Sequence, residues 1–546
     1  MKKRQKKYKG DIFALSVCSL LIVSFCSSIL CLFDKQEFYH DRYPFFSIYP
    51  NDASNVDSWN WHIDNIELNN AWDIETDCYL PIGVVDSGIY SSNLDLTYMY
   101  NDVYSRDCLN LNRLPNEDIF GHGTMVAGML GAQGNNNIGI SGVMWHSNLV
   151  SLRIDNNVTN LEDPNGLINA INYASSNNIR ILNFSGGFYK YGNSNDEITD
   201  SQITSLENAL DNYDGLLICA AGNDDTEIGF NNNQVRIYPQ VIECDNIIVV
   251  GASNKLNNKT YFSNYSSSYV DVFAPGDELK STSTSVNGTT GFSGTSAASP
   301  IVAGIAGLLL GVNPNFTTEQ IKTIILSTTD YCSSLSNYCV TGGKVNAYSA
   351  LKHALPNVTT NSIFTSLNCL SSNDHQWYKI NAQPGIFSFI NYSGSLTLSC
   401  ALFSDIQSSS IISGTCGGGG TFFTYDIPAQ GTYYLKVTNV QSSSGNYSIF
   451  IEENHSHDYS SSYSYFDNMR HYALCSCGDY LLKKHVINSS TQRCLLCGGY
   501  AGIVNPLFLA GETNYFNDSY LNEQVLILGP IDYNRFVNGE LSLDDI

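Results

Sequence analysis

The chain between residues 49 and 355 alternates short apolar runs with stretches of helical periodicity. Continuous apolar runs predict strands at residues 82–85, 149–154, 179–184, 215–220 and 247–250. Such runs, separated by helices, are typical of a parallel sheet that is covered on both faces. We therefore predict a three-layer α/β domain with a parallel sheet.

The pattern changes after this domain. Residues 356–362 are predicted to form a linker, and residues 363–451 contain short alternating apolar and polar stretches, such as 431–437 and 446–451. Glycine and serine separate these stretches. The pattern predicts a small all-β sandwich.

The amino terminus has the pattern of an export signal. A cluster of basic residues precedes an uncharged, mostly apolar run at residues 12–33. This run is long enough to cross a bilayer with its basic flank on the cytoplasmic side, so a cleaved signal peptide and an uncleaved membrane anchor both fit residues 1–33. We expect the remaining chain, after a short lead-in at residues 34–48, to be secreted or held at the cell surface.

Composition and charge narrow the classes of function. The chain has 546 residues, of which 43% are hydrophobic and 14% charged, as is typical of packed domains. Its formal net charge of -24 leaves no general basic surface for nucleic acid. We expect a monomer with no nucleic-acid partner and with no membrane contact beyond the amino-terminal segment.

Two short motifs carry a nucleophile and a base. Ser296 lies in the sequence GTSAASP, and the apolar stretch at residues 301–310 predicts a buried helix that begins beside it. The positive end of a helix dipole favours an oxyanion at that position. His122 lies in the sequence GHGTMVAG, which also predicts the start of a helix.

A carboxylate completes the set. Asp86 follows the predicted strand at residues 82–85, so it lies at the carboxyl end of a strand, where open α/β sheets bind ligands. A serine nucleophile needs a base, a carboxylate that holds the base, and donors for the oxyanion. One such motif alone is more often a helix cap or a turn, but the three together indicate nucleophilic hydrolysis.

The motifs VVDSGI, GHGT and GTSAASP around Asp86, His122 and Ser296 resemble those of the subtilisin-like serine proteases, peptidase family S8. The order Asp, His, Ser distinguishes this family from chymotrypsin-like and α/β-hydrolase enzymes. The resemblance covers residues 49–355. It implies a serine endopeptidase that hydrolyses protein or peptide substrates through an acyl-enzyme, with these three residues as its catalytic triad.

The same resemblance implies further site residues. Asn223, in the sequence AAGN, would donate its side-chain N–H to the oxyanion beside the backbone N–H of Ser296. Ser185, Gly186 and Gly187 correspond to the edge on which a peptide substrate adds as a further strand. Main-chain hydrogen bonds would supply most of the affinity there, so we expect broad substrate tolerance.

The resemblance also implies a structural calcium site. Asp95 and Asn136, together with Ile138 and Ile140 of an Asn-rich loop, stand in the matching places, and Asp52 resembles the amino-terminal ligand. Hard oxygen ligands suit calcium. The alternative is that this loop is an ordinary solvated turn.

The chain departs from the family in two respects. Ala297 stands where the family usually has methionine, which removes an oxidisable thioether beside the nucleophile. The lead-in at residues 34–48 contains no counterpart of the family's inhibitory prodomain. We expect either folding without that segment or a different restraint on activity.

The cysteines fall into groups. Cys219 is predicted to be a buried small hydrophobe, and Cys332 and Cys339 are spaced to form a disulfide in an oxidising compartment. Two knuckle-like pairs resemble a zinc ribbon within residues 455–500: Cys475, Cys477, Cys494 and Cys497. Zinc, two disulfides and free thiols all remain open for these pairs, and an acidic tail at residues 501–546 follows them.

Two other functions compete with the peptidase. One is a surface-binding protein on an inactive scaffold of this kind, and the intact triad and Asn223 argue against it. The other is an esterase with the same triad, whose nucleophile motif and residue order would differ.

Overall fold

The computed structural model describes residues 48–454, with gaps at residues 53–57, 156–162, 191–197, 232 and 367–369. Beyond residue 454 it describes isolated short strands. The predicted export segment and most of the lead-in lie outside the described residues. Two compact units divide the chain: residues 1–382, 389–423 and 430–451 form the first, and residues 383–388, 424–429 and 452–546 form the second.

The first unit contains a large parallel sheet. The strands of this region, in chain order, are β1 (Asp77–Asp86), β2 (Arg106–Asp107), β3 (His146–Arg153), β4 (Ile181–Phe184), β5 (Phe188–Lys190), β6 (Leu216–Ala220), β7 (Arg236–Tyr238), β8 (Ile247–Ser253), β9 (Val272–Pro275), β10 (Leu279–Thr282), β11 (Thr289–Phe292), β12 (Asp330–Tyr331) and β13 (Gly343–Lys344). Among them a nine-stranded sheet has the order β12-β13-β9-β8-β6-β4-β1-β3-β2. Its neighbouring strands are parallel apart from the antiparallel edge pair β12 and β13.

Helices cover both faces of this sheet. They are α1 (His62–Asn65), α2 (Leu68–Ala71), α3 (His122–Gly131), α4 (Pro164–Ser176), α5 (Asp200–Asp211), α6 (Thr295–Val312), α7 (Thr318–Ser327) and α8 (Ala347–Ala354). Val84 packs with α3, α6, α7 and α8 in one buried cluster, whereas the next residue, Val85, packs with α4 and α5 in another. Successive strand residues point to opposite faces, so a sheet buried on both sides needs apolar residues at every position. The predicted three-layer α/β fold is confirmed.

Helix ends follow local sequence signals. Thr199 and Gln202 form a capping box at α5, and Thr317 and Gln320 form another at α7.

Helix α6 is apolar on all sides and long enough to cross a membrane. It is 89% buried and forms the centre of the domain.

Residues 357–454 form strands β14 (Asn357–Val358), β15 (Ile363–Thr365), β16 (His375–Ala382), β17 (Gly385–Ser393), β18 (Leu398–Phe403), β19 (Ile412–Cys416), β20 (Thr421–Ile427), β21 (Gly431–Asn439) and β22 (Ser448–Asn454). One sheet has the order β14-β16-β21-β18-β19 and the other β15-β22-β17-β20. Tyr378 of the first sheet contacts Phe364 of the second, with ring centroids 4.8 Å apart, and its hydroxyl lies 2.7 Å from that of Tyr447.

The predicted linker at residues 356–362 is partly wrong. Asn357 and Val358 form β14, which pairs in parallel with Lys379 and Ile380 of β16. The side chain of Val358 is buried at the sheet edge, and this burial is more favourable than exposure in a linker.

The described strands of the second unit beyond residue 454 are β23 (Tyr463–Tyr465), β24 (Arg470–Leu474), β25 (Tyr480–Lys484), β26 (Ile487–Asn488), β27 (Arg493–Cys494), β28 (Phe516–Asp518), β29 (Glu523–Val525) and β30 (Ile527–Leu528). Among the described strands, one sheet has the order β23-β24-β25-β30, and β26 pairs with β27.

Candidate active site

The site is built where β1 ends. Asp86 is the last residue of β1, at the carboxyl edge of the sheet, and is almost fully buried. Its backbone is in register with Arg153 at the end of the neighbouring β3. The Ser87 N–H donates to Asp86 Oδ1 at 2.7 Å, which fixes the carboxylate in a defined orientation.

His122 is the first residue of α3 and faces Asp86. Its Nδ1 lies 2.9 Å from Asp86 Oδ1 and 3.0 Å from Oδ2. A carboxylate can only accept a hydrogen bond, so Nδ1 carries the proton and Nε2 is the basic nitrogen. The histidine side chain is 28% exposed, which leaves it accessible from the cleft.

The helix approaches the strand closely because Gly123 follows the histidine. A Cβ at position 123 would lie 2.2 Å from the carbonyl oxygen of Gly88 and 3.0 Å from Asp86 Cβ. Glycine is therefore required for the contact between His122 and Asp86.

Ser296 lies in the first turn of α6, which packs against α3. Gly294 precedes that turn with φ of 142°, a conformation that favours glycine. The Ser296 hydroxyl donates to the carbonyl oxygen of Ser185 at 3.1 Å. The ring of Phe292 meets that of His122 edge-on at 5.9 Å between centroids.

Asn223 is exposed at the cleft and held by one end of its amide. Its Oδ1 accepts from the N–H of Thr295 at 2.9 Å and from the Thr295 hydroxyl at 3.0 Å. With the oxygen fixed in this way, the amide nitrogen points away from Thr295. The first turn of a helix also leaves backbone N–H groups without partners inside the helix, and Asn223 lies beside that turn of α6.

Asn264 is a supporting residue that the sequence analysis missed. It is fully buried, and its Nδ2 donates to the carbonyl of Ala221 at 3.0 Å. Its Oδ1 accepts from the N–H groups of Asp224 and Thr226 at 2.9 and 3.1 Å. These bonds hold the loop that carries Asn223, but they join residues far apart in sequence, and no local motif indicates them.

The segment predicted to bind substrate lies beside Ser296, whose hydroxyl contacts the Ser185 carbonyl. Ser185, Gly186 and Gly187 extend β4 without forming a strand of their own. Gln240 anchors them, because its Nε2 donates to the carbonyls of Gly186 at 2.8 Å and Ala220 at 2.7 Å.

The residues predicted for calcium come together around one loop. Asp52 accepts from the N–H of Asn136 at 2.9 Å, and Asp95 accepts from Asn136 Nδ2 at 3.1 Å. Asp95 also accepts from the N–H of Ile140 at 3.0 Å, and the N–H of Ile138 donates to Asn136 Oδ1 at 2.8 Å.

The donor chemistry of this loop suits a hard cation. Burial raises the pKa of Asp95 to about 6, and the charge of Asp52 contributes to the rise. A cation between two buried carboxylates would relieve that repulsion. No group of three or more His, Cys, Asp or Glu side chains suits a metal within the described part of the chain, so Asn136 and backbone carbonyls would have to complete the ligand set.

The three groups of cysteines lie in different parts of the chain, and the structure describes them to different extents. Cys219 is fully buried in β6, and burial raises the pKa of its thiol well above the usual value, so it is an unreactive core residue. Cys332 and Cys339 are free thiols in the structure rather than a disulfide. Cys475, Cys477 and Cys497 lie outside the described residues, and Cys494 is described only by its backbone pairing with Ile487.

Residues 80–361 match the profile of the Subtilase family. Thermitase from Thermoactinomyces vulgaris is 31% identical over 289 residues, which cover 53% of this chain and 94% of thermitase. A thermophilic serine proteinase from Bacillus sp. (strain AK1) is 31% identical over 314 residues, covering 56% of this chain and 69% of that protein. Among solved structures, a protease of Pseudoalteromonas arctica aligns with 56% of this chain and 99% of its own at 25% identity, with a TM-score of 0.45.

Proposed function

Because the chain belongs to the subtilase family and is a serine-type endopeptidase, we propose that Asp86, His122 and Ser296 are its catalytic triad. The observation that carries this proposal is the pair of contacts at 2.9 and 3.0 Å between His122 Nδ1 and Asp86, formed next to helix α6, whose first turn contains Ser296.

The chemistry follows from these positions. His122 Nε2 removes the Ser296 hydroxyl proton as Oγ attacks the scissile carbonyl, and Asp86 stabilises the imidazolium that forms. The tetrahedral oxyanion accepts hydrogen bonds from Asn223 Nδ2 and the Ser296 N–H. His122 then protonates the leaving amine, and water hydrolyses the acyl-enzyme by the same route in reverse. Substrate binding would release the Ser296 hydroxyl from the Ser185 carbonyl, since active-site hydrogen bonds often tighten only in the complex.

Protein and peptide substrates would bind in extended form along residues 185–187. The carbonyl and N–H groups of this segment can pair with a substrate strand, so recognition would be mostly independent of side chains. The basic and apolar amino terminus supports export to the cell exterior.

The proposal is tested with Ser296→Ala and His122→Ala. Each should reduce peptide hydrolysis to near background, because the triad residues act as a unit. Circular dichroism should show an unchanged fold in both variants. Near-normal turnover by folded Ser296→Ala protein would refute the assignment.

We also propose that Asp52, Asp95 and Asn136 hold a calcium ion, with carbonyl groups from the loop that contains Ile138 and Ile140. An ion bound to the native state alone stabilises it by mass action. The thermal midpoint of the Ser296→Ala protein should fall when calcium is chelated. An unchanged midpoint would identify the loop as an ordinary turn.

For the carboxyl-terminal segment we propose a zinc site made of Cys475, Cys477, Cys494 and Cys497. Short segments with little apolar sequence need a metal or disulfides to fold. Metal analysis of the reduced full-length Ser296→Ala protein should find one zinc per chain. The absence of metal, with four oxidised cysteines by mass spectrometry, would replace the zinc site with two disulfides.

A further inference from the structure

Asp118 is a buried carboxylate that the proposed triad does not use. It is 6% exposed, and each of its oxygens accepts two hydrogen bonds. Oδ1 accepts from the Ser87 hydroxyl and from the N–H of Gly121, both at 2.8 Å. Oδ2 accepts from the N–H of Thr124 at 2.8 Å and from its hydroxyl at 2.7 Å.

These contacts make Asp118 the cap of the helix that carries His122. Gly121 stands at the N-cap of α3 and has no side chain that could accept from the first turn. The carboxylate of Asp118 takes that role from three residues upstream, and its charge also complements the helix dipole. The start of α3, and with it the place of His122, therefore depends on Asp118.

Ser87 connects Asp118 to Asp86. Its hydroxyl has one proton and two carboxylate neighbours, Asp118 Oδ1 at 2.8 Å and Asp86 Oδ1 at 3.2 Å. The N–H of Gly123 donates to the same hydroxyl oxygen at 3.0 Å. The proton belongs to the shorter contact, so Ser87 donates to Asp118. Asp86 then keeps two donors, the Ser87 N–H and His122 Nδ1.

Among the described residues no charged side chain of the surrounding elements pairs with Asp118, although Arg153 Nη1 donates to the backbone carbonyls of Leu114 and Glu117 beside it. Arg113 pairs with Asp107 and Asp155, and Arg153 pairs with Asp155 at the end of β3. Glu117, next to Asp118 in sequence, is exposed. Lys280 lies on β10, which packs against α3.

We propose that Asp118 is a positioning residue for His122. It acts by capping α3 and by turning the Ser87 hydroxyl away from Asp86, so that the Asp86 carboxylate directs its charge at the imidazole. The imidazolium that forms during hydrolysis is stabilised as a result. This inference rests on the proposed function, because it concerns the same triad.

The first test is the pH dependence of kcat/KM for Asp118→Asn. An asparagine whose amide N–H₂ faces Ser87 would turn the Ser87 proton toward Asp86. We expect kcat to fall about tenfold and the acid limb of the profile to move about 0.5 pH unit lower, because the imidazolium loses stabilisation. A residue that only caps the helix would lower the thermal midpoint, and the loss of its charge would move the acid limb equally with and without the Ser87 hydroxyl.

Ser87→Ala tests the role of the Ser87 hydroxyl while the charge of Asp118 stays in place. With the proton on Asp118 in the parent enzyme, removal of the hydroxyl should leave the acid limb near its original pH, although the rate falls because Gly123 N–H loses its acceptor. In the double variant, Asp118→Asn should no longer move the limb. Ser87→Thr, which keeps the hydroxyl, should retain the parent profile.

Three results would overturn the inference. They are an unshifted acid limb in Asp118→Asn, an equal shift in the double variant, and a limb that moves to higher pH in Ser87→Ala. The last would show that Ser87 donates to Asp86 in the parent enzyme, and it applies even if Asp118→Asn fails to fold. Failure of the proposed function would look different, since the parent protein itself would then show no hydrolysis.

Discussion

At the scale of single residues, the candidate site depends on glycines as much as on its polar groups. Gly123 lets α3 approach the end of β1, and a methyl group there would meet the Gly88 carbonyl at 2.2 Å. The backbone would have to move, and because the same methyl group would lie 3.0 Å from Asp86 Cβ, the contact between His122 and Asp86 would change with it.

We therefore predict that Gly123→Ala lowers kcat/KM by about 10²-fold, the cost of displacing a catalytic group by about 1 Å. Steady-state kinetics on a peptide substrate measures the effect. Gly417→Ala is the matched control, because a Cβ at position 417 meets nothing within 4 Å, and it should change neither activity nor stability. Equal activity in Gly123→Ala and the parent would show that the helix can shift without cost.

Local sequence predicts the positions of Asp86, His122 and Ser296 because each stands at the end of a strand or the start of a helix. It does not predict the residues that hold these three side chains in place. Asp118 reaches Ser87 across 31 positions, and Asn264 reaches Ala221 across 43. Hydrogen bonds of this kind exist only after the sheet has formed, so neither residue has a local signal.

At the scale of elements, Asp73 is one of the residues through which the peptidase domain contacts the β-sandwich, and Lys352, which pairs with Asp405, is another. The carbonyl oxygen of Asp73 accepts from Trp377 Nε1 at 2.8 Å and lies 2.7 Å from His375 Nε2. The Asp73 carboxylate pairs with Lys436 at 2.9 Å, and burial raises its pKa against the opposing effect of that lysine. Trp377 and Tyr434 belong to the same buried cluster as α6.

Because of this shared cluster, we predict that the sandwich and the peptidase domain unfold together in one calorimetric transition. Lys436→Met should lower its midpoint, since the buried Asp73 carboxylate loses its partner, at a cost of about 1–3 kcal/mol. Lys255→Met, at an exposed lysine, should leave the midpoint unchanged. Two separated transitions in the parent protein would contradict the shared core.

Local sequence predicts the long strands of the sheet better than the short ones. The continuous apolar runs of β1, β3, β4, β6 and β8 are unmistakable, whereas β9 is a four-residue strand that ends in Pro275 and gives a weak signal. The sequence of the edge strand β14 predicts a linker, because Asn357 and Val358 are too few residues to show alternation. Such strands are defined by the neighbour with which they pair.

At the scale of the whole molecule, stability depends on Glu75, a partly buried acid next to the sandwich contact. Burial raises the pKa of Glu75 from 4.5 to about 8. Its Oε1 accepts from the N–H groups of Thr76 and Asp77, both at 3.0 Å, and glutamine can replace both bonds. The folded state therefore retains a proton that the unfolded state has lost between these two pH values.

Since the unfolded state binds fewer protons in this window, Glu75 makes stability fall as pH rises from about 4.5 to about 8, by about 1.4 kcal/mol per pH unit. Glu75→Gln should remove this slope and be more stable than the parent at pH 8. Urea unfolding of Ser296→Ala proteins across this range measures it, with the exposed Glu319→Gln as control. Parallel curves for Glu75→Gln and the parent would contradict the raised pKa.

An activated Ser296 nucleophile should react covalently with a serine-directed probe. A fluorophosphonate probe should modify the parent protein at one site per chain, and peptide mass spectrometry should place the adduct on Ser296. Labelling should be lost in Ser296→Ala and strongly slowed in folded His122→Ala. An adduct on another serine, or unchanged labelling of Ser296→Ala, would contradict the account.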